Sequence, residues 1–215
     1  MASLKPVRGT RDLLPEAMRV HRHVVERSRD IAERYGFEEI ATPILESSDV
    51  FKRTLGDTSD IVTKEMYTFV TKGGEEITLR PENTAGVARA FISEGLANAA
   101  PLKFFYAGPM FRHERPQKGR QRQFHQIGVE IIGVATPQAD IEVIAAGARV
   151  LSELGLGGKT SLQLNTLGDL ESRAAYREAL VVYFTERVNE LSTESRDRLS
   201  RNPLRIIDSK NEADQ

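Results

Sequence analysis

The chain has 215 residues, 40% of them apolar, and its 30 basic and 31 acidic side chains leave a formal charge of −1. That length suits one large domain, or one and a half ordinary ones, with a sizeable core. The charge balance excludes a globally basic nucleic-acid binder, and the absence of cysteine excludes disulfides and thiolate chemistry.

In chain order, residues 15–35 form a helical pattern through Met18, Val24, Val25, Ile31 and Ala32 and stop at Gly36. FEEIATPILE (37–46) reads as a strand interrupted by Pro43, which marks an edge, a bulge or the strand's end. MYTFVTKGGEEITLRP (66–81) reads as a hairpin turning at Gly73–Gly74. A helix follows over 83–96, with Asn83 or Thr84 as its N-cap. Two strands, over 102–114 and 123–133, flank a basic loop. A helix capped by Asp140 runs to Gly155, a strand covers 160–168, and a long helix covers 169–191. From Ser192 the chain is polar. Helices, hairpins and strands mix without steady alternation, which predicts an α+β fold, mostly antiparallel sheet flanked by helices. No apolar run approaches the roughly 18 residues of a membrane span. The N-terminus lacks the apolar stretch of a secretory signal, so a soluble cytoplasmic protein is expected.

Neither G-x-G-x-x-G nor G-x-x-x-x-G-K-[ST] occurs. Chemistry concentrates instead on the basic hairpin. Side chains alternate along a strand, so Arg112 and Glu114 share one face of the first strand, Phe124, Gln126, Gly128 and Glu130 share one face of the second, and pairing of the two strands would join them in one floor. His125, Ile127, Val129 and Ile131 face the opposite way, toward the core. His113 and His125 are expected as packing histidines on the core side, and the four histidines show no metal spacing. Phe124 offers a surface for stacking a base, and Arg112 a planar fork for a phosphate. Gln126 and Glu130 can hold an amine or a ring N–H, and Gly128 leaves room for a ligand against the backbone. The loop cations Arg115, Lys118, Arg120 and Arg122 can neutralise phosphates. At 79–84 a strand gives way to a helix. Glu82 there can accept from an amino group, and the helix's first amides can take a carboxylate. The competing readings are a solvated loop for the cations and ordinary helix-start decoration for Glu82, Asn83 and Thr84.

KPVRGTRDLLPE (5–16), FKRTLGDTSDIVTKEMYTF (51–69), TLRPENTAG (78–86) and GPMFRHERPQKGRQRQFHQIGVEIIG (108–133) resemble a class II aminoacyl-tRNA synthetase, specifically the histidyl-tRNA synthetase family. The last stretch is similar to that class's motif 2. The helix from Pro15 with FEEIATPILE resembles motif 1, whose proline lies at a dimer interface. NTLGDLESRAAYREAL (165–180) and NPLRIIDSKN (202–211) resemble the family too, so the likeness covers essentially the whole chain.

The resemblance implies that Arg112 contacts the α-phosphate of ATP. Glu114 would hold the adenine end, Phe124 would stack on the base, and Arg120 would meet the γ-phosphate. Glu82, Asn83, Thr84, Arg112 and Gln126 would bind histidine, with Glu130 pairing to its imidazole. Arg115, Lys118 and Arg122 would contact the tRNA acceptor end. Implied ligands are ATP with Mg²⁺, histidine and the histidine tRNA, and the implied assembly is a homodimer through motif 1. The implied reaction is ATP-dependent formation of histidyl-adenylate and transfer to tRNA. Asn83 stands where the family often has glycine, and a mild effect is expected because Asn tolerates positive φ. The 1–215 sequence reads as a catalytic core fragment with motifs 1 and 2. The second histidine-recognition segment, motif 3 and the anticodon-binding domain are missing from it. Adenylate formation by residues 1–215 alone is therefore expected to be weak or undetectable. Two alternatives stand beside this: a silent histidine-sensing paralogue acting as regulatory subunit of ATP phosphoribosyltransferase, and an RNA-binding module using the loop.

Overall fold

A computed structural model describes residues 4–56, 59, 61–115, 117–166 and 168–214. The chain divides into two compact units, up to Thr160 and from Ser161. In the first, helix α1 (Pro15–Arg34) starts with proline in its first turn, where a missing N–H costs nothing. It ends at Tyr35, followed by Gly36 at φ +79°, as the glycine stop predicts. The stretch read as one strand around Pro43 is two: β1 (Glu38–Glu39) and β2 (Leu45–Ser47), in different sheets. Pro43 falls between them, because a residue without an N–H cannot continue either ladder.

The first sheet has the order β1-β5-β6, with β5 (Leu102–Phe111) and β6 (Gln123–Ile132) antiparallel and β1 parallel to β5. The second has the order β2-β4-β3, all antiparallel. Its hairpin joins β3 (Tyr67–Val70) to β4 (Glu76–Leu79) through a turn with Gly74 at φ +85°. Between β2 and β3 lies a helix absent from the sequence reading, α2 (Ser48–Leu55), which buries Phe51 completely. Helix α3 (Thr84–Ser93) follows β4, and α4 (Pro137–Glu153) follows β6. The latter begins three residues before the predicted Asp140 cap, with Thr136 preceding a proline in the first turn.

The two faces of β5–β6 have different neighbours. On one, Phe105, Ala107, Val129 and Ile131 pack with Ala32 of α1, Phe37 and Ala146 of α4. On the other, Phe104, Tyr106 and Met110 pack against Val87 of α3. Burying each such phenylalanine or methionine side chain stabilises the fold by about 1.5–3 kcal/mol. The expectation that all of His125, Ile127, Val129 and Ile131 belong to the core holds only for the last two. Ile127 is 38% exposed at an apolar cleft of ≈ 510 Å³ between α1, α4 and the sheet. His125 is exposed, with its ring 4.3 Å from that of His21 on α1. His113 is exposed as well, just beyond the end of β5, its ring edge-on to Tyr67. Both histidines pack against an aromatic ring, but at the surface.

In the second unit the strand expected over 160–168 does not form, Leu167 lying outside the described residues. Its alternation has no partner strand to satisfy its backbone, and Leu162 and Leu164 stay exposed. Helix α5 (Leu170–Glu186) is capped by Asp169, whose carboxylate accepts from the Ser172 amide at 2.7 Å. It stops five residues short of the predicted end. The polar tail holds two further helices, α6 (Thr193–Arg201) and α7 (Leu204–Ile207), which close on Phe184, Leu191 and Ile206. Asp214 ties this unit's end to the start of α6, accepting from the Ser192 amide and from the hydroxyls of Ser192, Ser195 and Ser209.

Candidate active site

The site lies on the α3 face of β5–β6. Register fixes this: Phe124, Gln126, Gly128 and Glu130 lie opposite Met110, Gly108, Tyr106 and Phe104. Arg112 lies just past the end of β5, but the hairpin continues to hold it, since its amide donates to the Arg122 carbonyl at 2.9 Å. Its guanidinium sits 5.2 Å from the centroid of the Phe124 ring, while Nε donates to the Pro81 carbonyl at 2.9 Å. Arg112 is thus already oriented, with stacking on one side and a backbone acceptor on the other.

Glu114, Arg120 and Phe124 share with Arg112 a polar hollow of ≈ 390 Å³. The Glu114 carboxylate is 2.8 Å from Arg120 Nη1 and 3.9 Å from Arg112 Nη1. Glu114 is nearly buried, whereas Arg120 is 60% exposed on a turn made possible by Gly119 at φ +81°. The expected ATP-binding set therefore comes together. The expected tRNA-contact set does not behave uniformly. Arg115 and Lys118 are exposed, as that role requires. Arg122 is only half-exposed and donates to the Glu114 carbonyl at 3.2 Å, its stem packed over Gly9. It braces the loop and is not free to reach a second molecule without releasing that contact.

At the other end Thr84 donates its hydroxyl to Glu130 Oε1 at 2.7 Å, and the Tyr106 hydroxyl donates to the same oxygen at 3.4 Å. Burial pushes the Glu130 carboxyl up, the Thr84 and Tyr106 hydroxyls draw it back, and the charge of Glu82 pushes it up again. Burial likewise pushes the Tyr106 phenol up to about 12, so the ring stays neutral and can donate. Gln126 Oε1 is buried and finds no donor among the described residues. A buried amide oxygen without a partner is costly, and an ammonium or N–H group supplied by a ligand would relieve that cost.

Three expectations need correcting. Gly128 does not open the backbone to a ligand: Tyr106 fills that space, and a methyl group at 128 would overlap its ring and hydroxyl. The first two amides of α3 are not open to a substrate carboxylate, because Glu82 accepts from Thr84 N at 2.6 Å and Ala85 N at 3.1 Å. Glu82 therefore caps α3, as the decoration reading anticipated. Asn83 is 1% exposed, its oxygen committed to Thr42 Oγ1 at 2.6 Å and Arg80 Nη1 at 3.2 Å, so its side chain offers a ligand nothing. Its φ is −120°, so the glycine-like freedom invoked for it is not used. Tyr106 and Thr42 escaped the sequence reading altogether. Counting register outward from the loop would have set Tyr106 opposite Gly128, the one signal available for it.

Comparison with known proteins fits this geometry. The family model described as Histidyl-tRNA synthetase matches residues 9–175. The histidine–tRNA ligase of Rhodospirillum rubrum is 65% identical over 215 residues, all of this chain and 52% of that protein. That of Gluconacetobacter diazotrophicus is 63% identical over 98% of this chain and 51% of its own length. The chain spans about half the length of the curated relatives it matches. Among solved structures, apo histidyl-tRNA synthetase of S. aureus superposes with a TM-score of 0.71 at 38% identity, covering 94% of this chain and 48% of its own. A Bacillus halodurans protein described as an ATP phosphoribosyltransferase regulatory subunit/histidyl-tRNA synthetase gives 0.66 at 28% identity, covering 93% and 55%. The α+β arrangement is that of the class II synthetase core. From the motif-bearing hairpin to the match over residues 9–175, the chain belongs to the histidyl-tRNA synthetase family.

Proposed function

We propose that this site activates histidine with ATP, as the catalytic part of a cytoplasmic histidine–tRNA ligase that then passes the histidyl group to its tRNA. The observation that carries this is the placement on one sheet face of a pre-oriented guanidinium over an aromatic ring and, farther along the same strand, a carboxylate with one oxygen already saturated. The ring and guanidinium suit a purine nucleotide and its α-phosphate. Glu130 has Oε1 engaged by two hydroxyls, and its remaining oxygen would suit an imidazole N–H. The buried Gln126 oxygen suits the histidine ammonium. The histidine carboxylate would attack the α-phosphorus in line, forming its bond to phosphorus as the bond to pyrophosphate breaks. Arg112 stabilises charge on the phosphoryl oxygens, and the chain contributes position and charge rather than a nucleophile of its own.

Glu114 is paired with Arg120 and Arg112, so the nucleotide's Mg²⁺ would be carried mainly by its phosphates. Arg115 and Lys118 are exposed, which suits a contact with the tRNA acceptor end. The exposed apolar side chains Met18 and Val20 on α1 suit a homodimer through that helix.

Titration of this chain tests the reading. ATP and histidine should each raise its melting temperature, and Arg112→Ala should remove the ATP effect while sparing most of the histidine effect. Histidine binding with no ATP response would favour the regulatory-subunit alternative, which has the weaker support of a 28% identical structure. Salt-sensitive RNA binding indifferent to both ligands would point to the RNA module instead.

A further inference from the structure

We propose that Arg80, buried behind the site, is a positioning residue that sets the nucleotide end and the amino-acid end in register through the 81–84 turn. Arg80 is 6% exposed, and its side-chain hydrogen bonds all go to neutral oxygens, with the charge of Glu46 acting on it from farther off. Its Nε donates to the Pro109 carbonyl at 3.0 Å. Its Nη1 donates to the Thr42 carbonyl at 2.9 Å, to Thr42 Oγ1 at 3.2 Å and to Asn83 Oδ1 at 3.2 Å. The backbone joins in: Arg80 N donates to Ile44 O at 2.9 Å, and Phe111 N to Arg80 O at 3.0 Å. One side chain thus ties together the strap before β2, the end of β5 and the turn into α3. Gly108 leaves the room for it, since a methyl group there would overlap Nη2.

Burial costs this guanidinium more than the distant charge of Glu46 returns, and its hydrogen bonds go to neutral acceptors, so an apolar residue of similar volume would fill the space more cheaply. What the cation provides is direction. The turn it holds has two outputs. Pro81 O accepts Arg112 Nε at 2.9 Å, and Thr84 Oγ1 holds Glu130 at 2.7 Å. Arg80 makes no hydrogen bond to Arg112 or Glu130 and acts through Asn83, which lies between Pro81 and Thr84 on the turn. Asn83 is its partner on the turn, and its oxygen also takes the Thr42 hydroxyl at 2.6 Å. The side chain at 83 is therefore part of the device.

The inference rests on the proposed function for what the two ends bind, but the positioning itself is open to a separate measurement. Asn83→Leu removes the acceptor at similar volume, and Asn83→Asp keeps it. The Nε–H proton of Arg112, assigned by its loss in Arg112→Lys, reports on the bond to Pro81 in ¹H–¹⁵N spectra. Asn83→Leu should speed its exchange with water by about tenfold or more, and Asn83→Asp should restore it. The Kd for ATP and for histidine should both rise about tenfold in Asn83→Leu and recover in Asn83→Asp. Should Asn83→Leu not fold, Thr42→Val removes a single hydroxyl from the same network and is read in the same way. Unchanged Arg112 exchange and unchanged affinities in a folded variant would overturn the positioning role. So would an Asp variant as impaired as the Leu one. If the unmutated chain binds neither ligand yet its Arg112 proton responds as described, the positioning stands and the functional reading fails.

Discussion

Glu130→Gln separates what this carboxylate does for a ligand from what it does to the fold. Burial raises its carboxyl above the ordinary value, against the pull of Thr84 and Tyr106. A carboxyl raised in the folded chain binds its proton more tightly there than in the unfolded chain. Stability is therefore lost as pH rises through the folded value and regained as pH falls below it. At neutral pH the ionised group is a net burden, which Gln removes while keeping an oxygen to accept from both hydroxyls. The Gln variant should melt higher than the parent near neutral pH, and the gap should close on acidification. Histidine binding should move the other way. A hydrogen bond to a charged partner is worth about 1.5–3 kcal/mol and a neutral one about 0.5–1.5 kcal/mol. The exchange thus weakens binding by about 1–1.5 kcal/mol, or roughly tenfold. Glu130→Ala also strands the Thr84 and Tyr106 hydroxyls and should cost well over tenfold. Calorimetric titration with histidine alongside thermal melts over pH checks both halves. A Gln variant that melts lower at neutral pH, or binds histidine as the parent does, would refute the reasoning.

Arg112→Ala should cost about 1.5–3 kcal/mol of ATP affinity, a tenfold to hundredfold rise in Kd by titration, because it removes a charged contact already aligned by Pro81 and Phe124. Gly128→Ala should destabilise the first unit by about 1–3 kcal/mol in denaturant unfolding through its clash with Tyr106, and pairing it with Tyr106→Val should recover most of the loss. At Asp214 burial pulls the carboxyl up, but the Ser209, Ser195 and Ser192 hydroxyls and the Ser192 amide outweigh it and leave it well below the usual 3.8. Its contribution is thus present above that unfolded value and lost as pH falls toward the folded one, so the Ser192 amide should lose exchange protection in that acid range. Asp214→Asn should show weakened protection near neutral pH already.

What was legible in the sequence was whatever depends on spacing along one strand or one helix. The period-two reading put Phe124, Gln126 and Glu130 on one face, and the paired register of β5 and β6 keeps them there. Pro43 and Gly36 end their elements for reasons internal to proline and glycine. What was not legible depends on a partner from elsewhere in the chain. Gly128 looked like an opening because nothing on its own strand says that the Tyr106 side chain of the neighbouring strand fills the space beside it. Nothing in the run 78–81 marks Arg80 out, since its acceptors at Thr42 and Pro109 are remote in sequence. The helix over Thr193–Arg201 was hidden for a related reason. It carries one leucine among charges, and what stabilises it is the clasp of Asp214 and a small core shared with α5.

The near-zero net charge and the local crowd of arginines have one physical resolution. Arg112, Arg120 and Arg122 converge on Glu114, through its carboxylate for the first two and its backbone carbonyl for the third. The carboxylate spares those cations mutual repulsion and braces the loop. If the proposed function holds, an arriving triphosphate would have to compete with Glu114 for Arg120, which is exposed. It would not have to compete for Arg112, whose Nε is satisfied by Pro81 and whose Nη1 is only loosely held, at 3.9 Å from Glu114. The exposed cation would then adapt to the outer phosphates while the fixed one defines the reacting phosphorus. That division follows from which arginine the 81–84 turn grips, and so, at one remove, from Arg80.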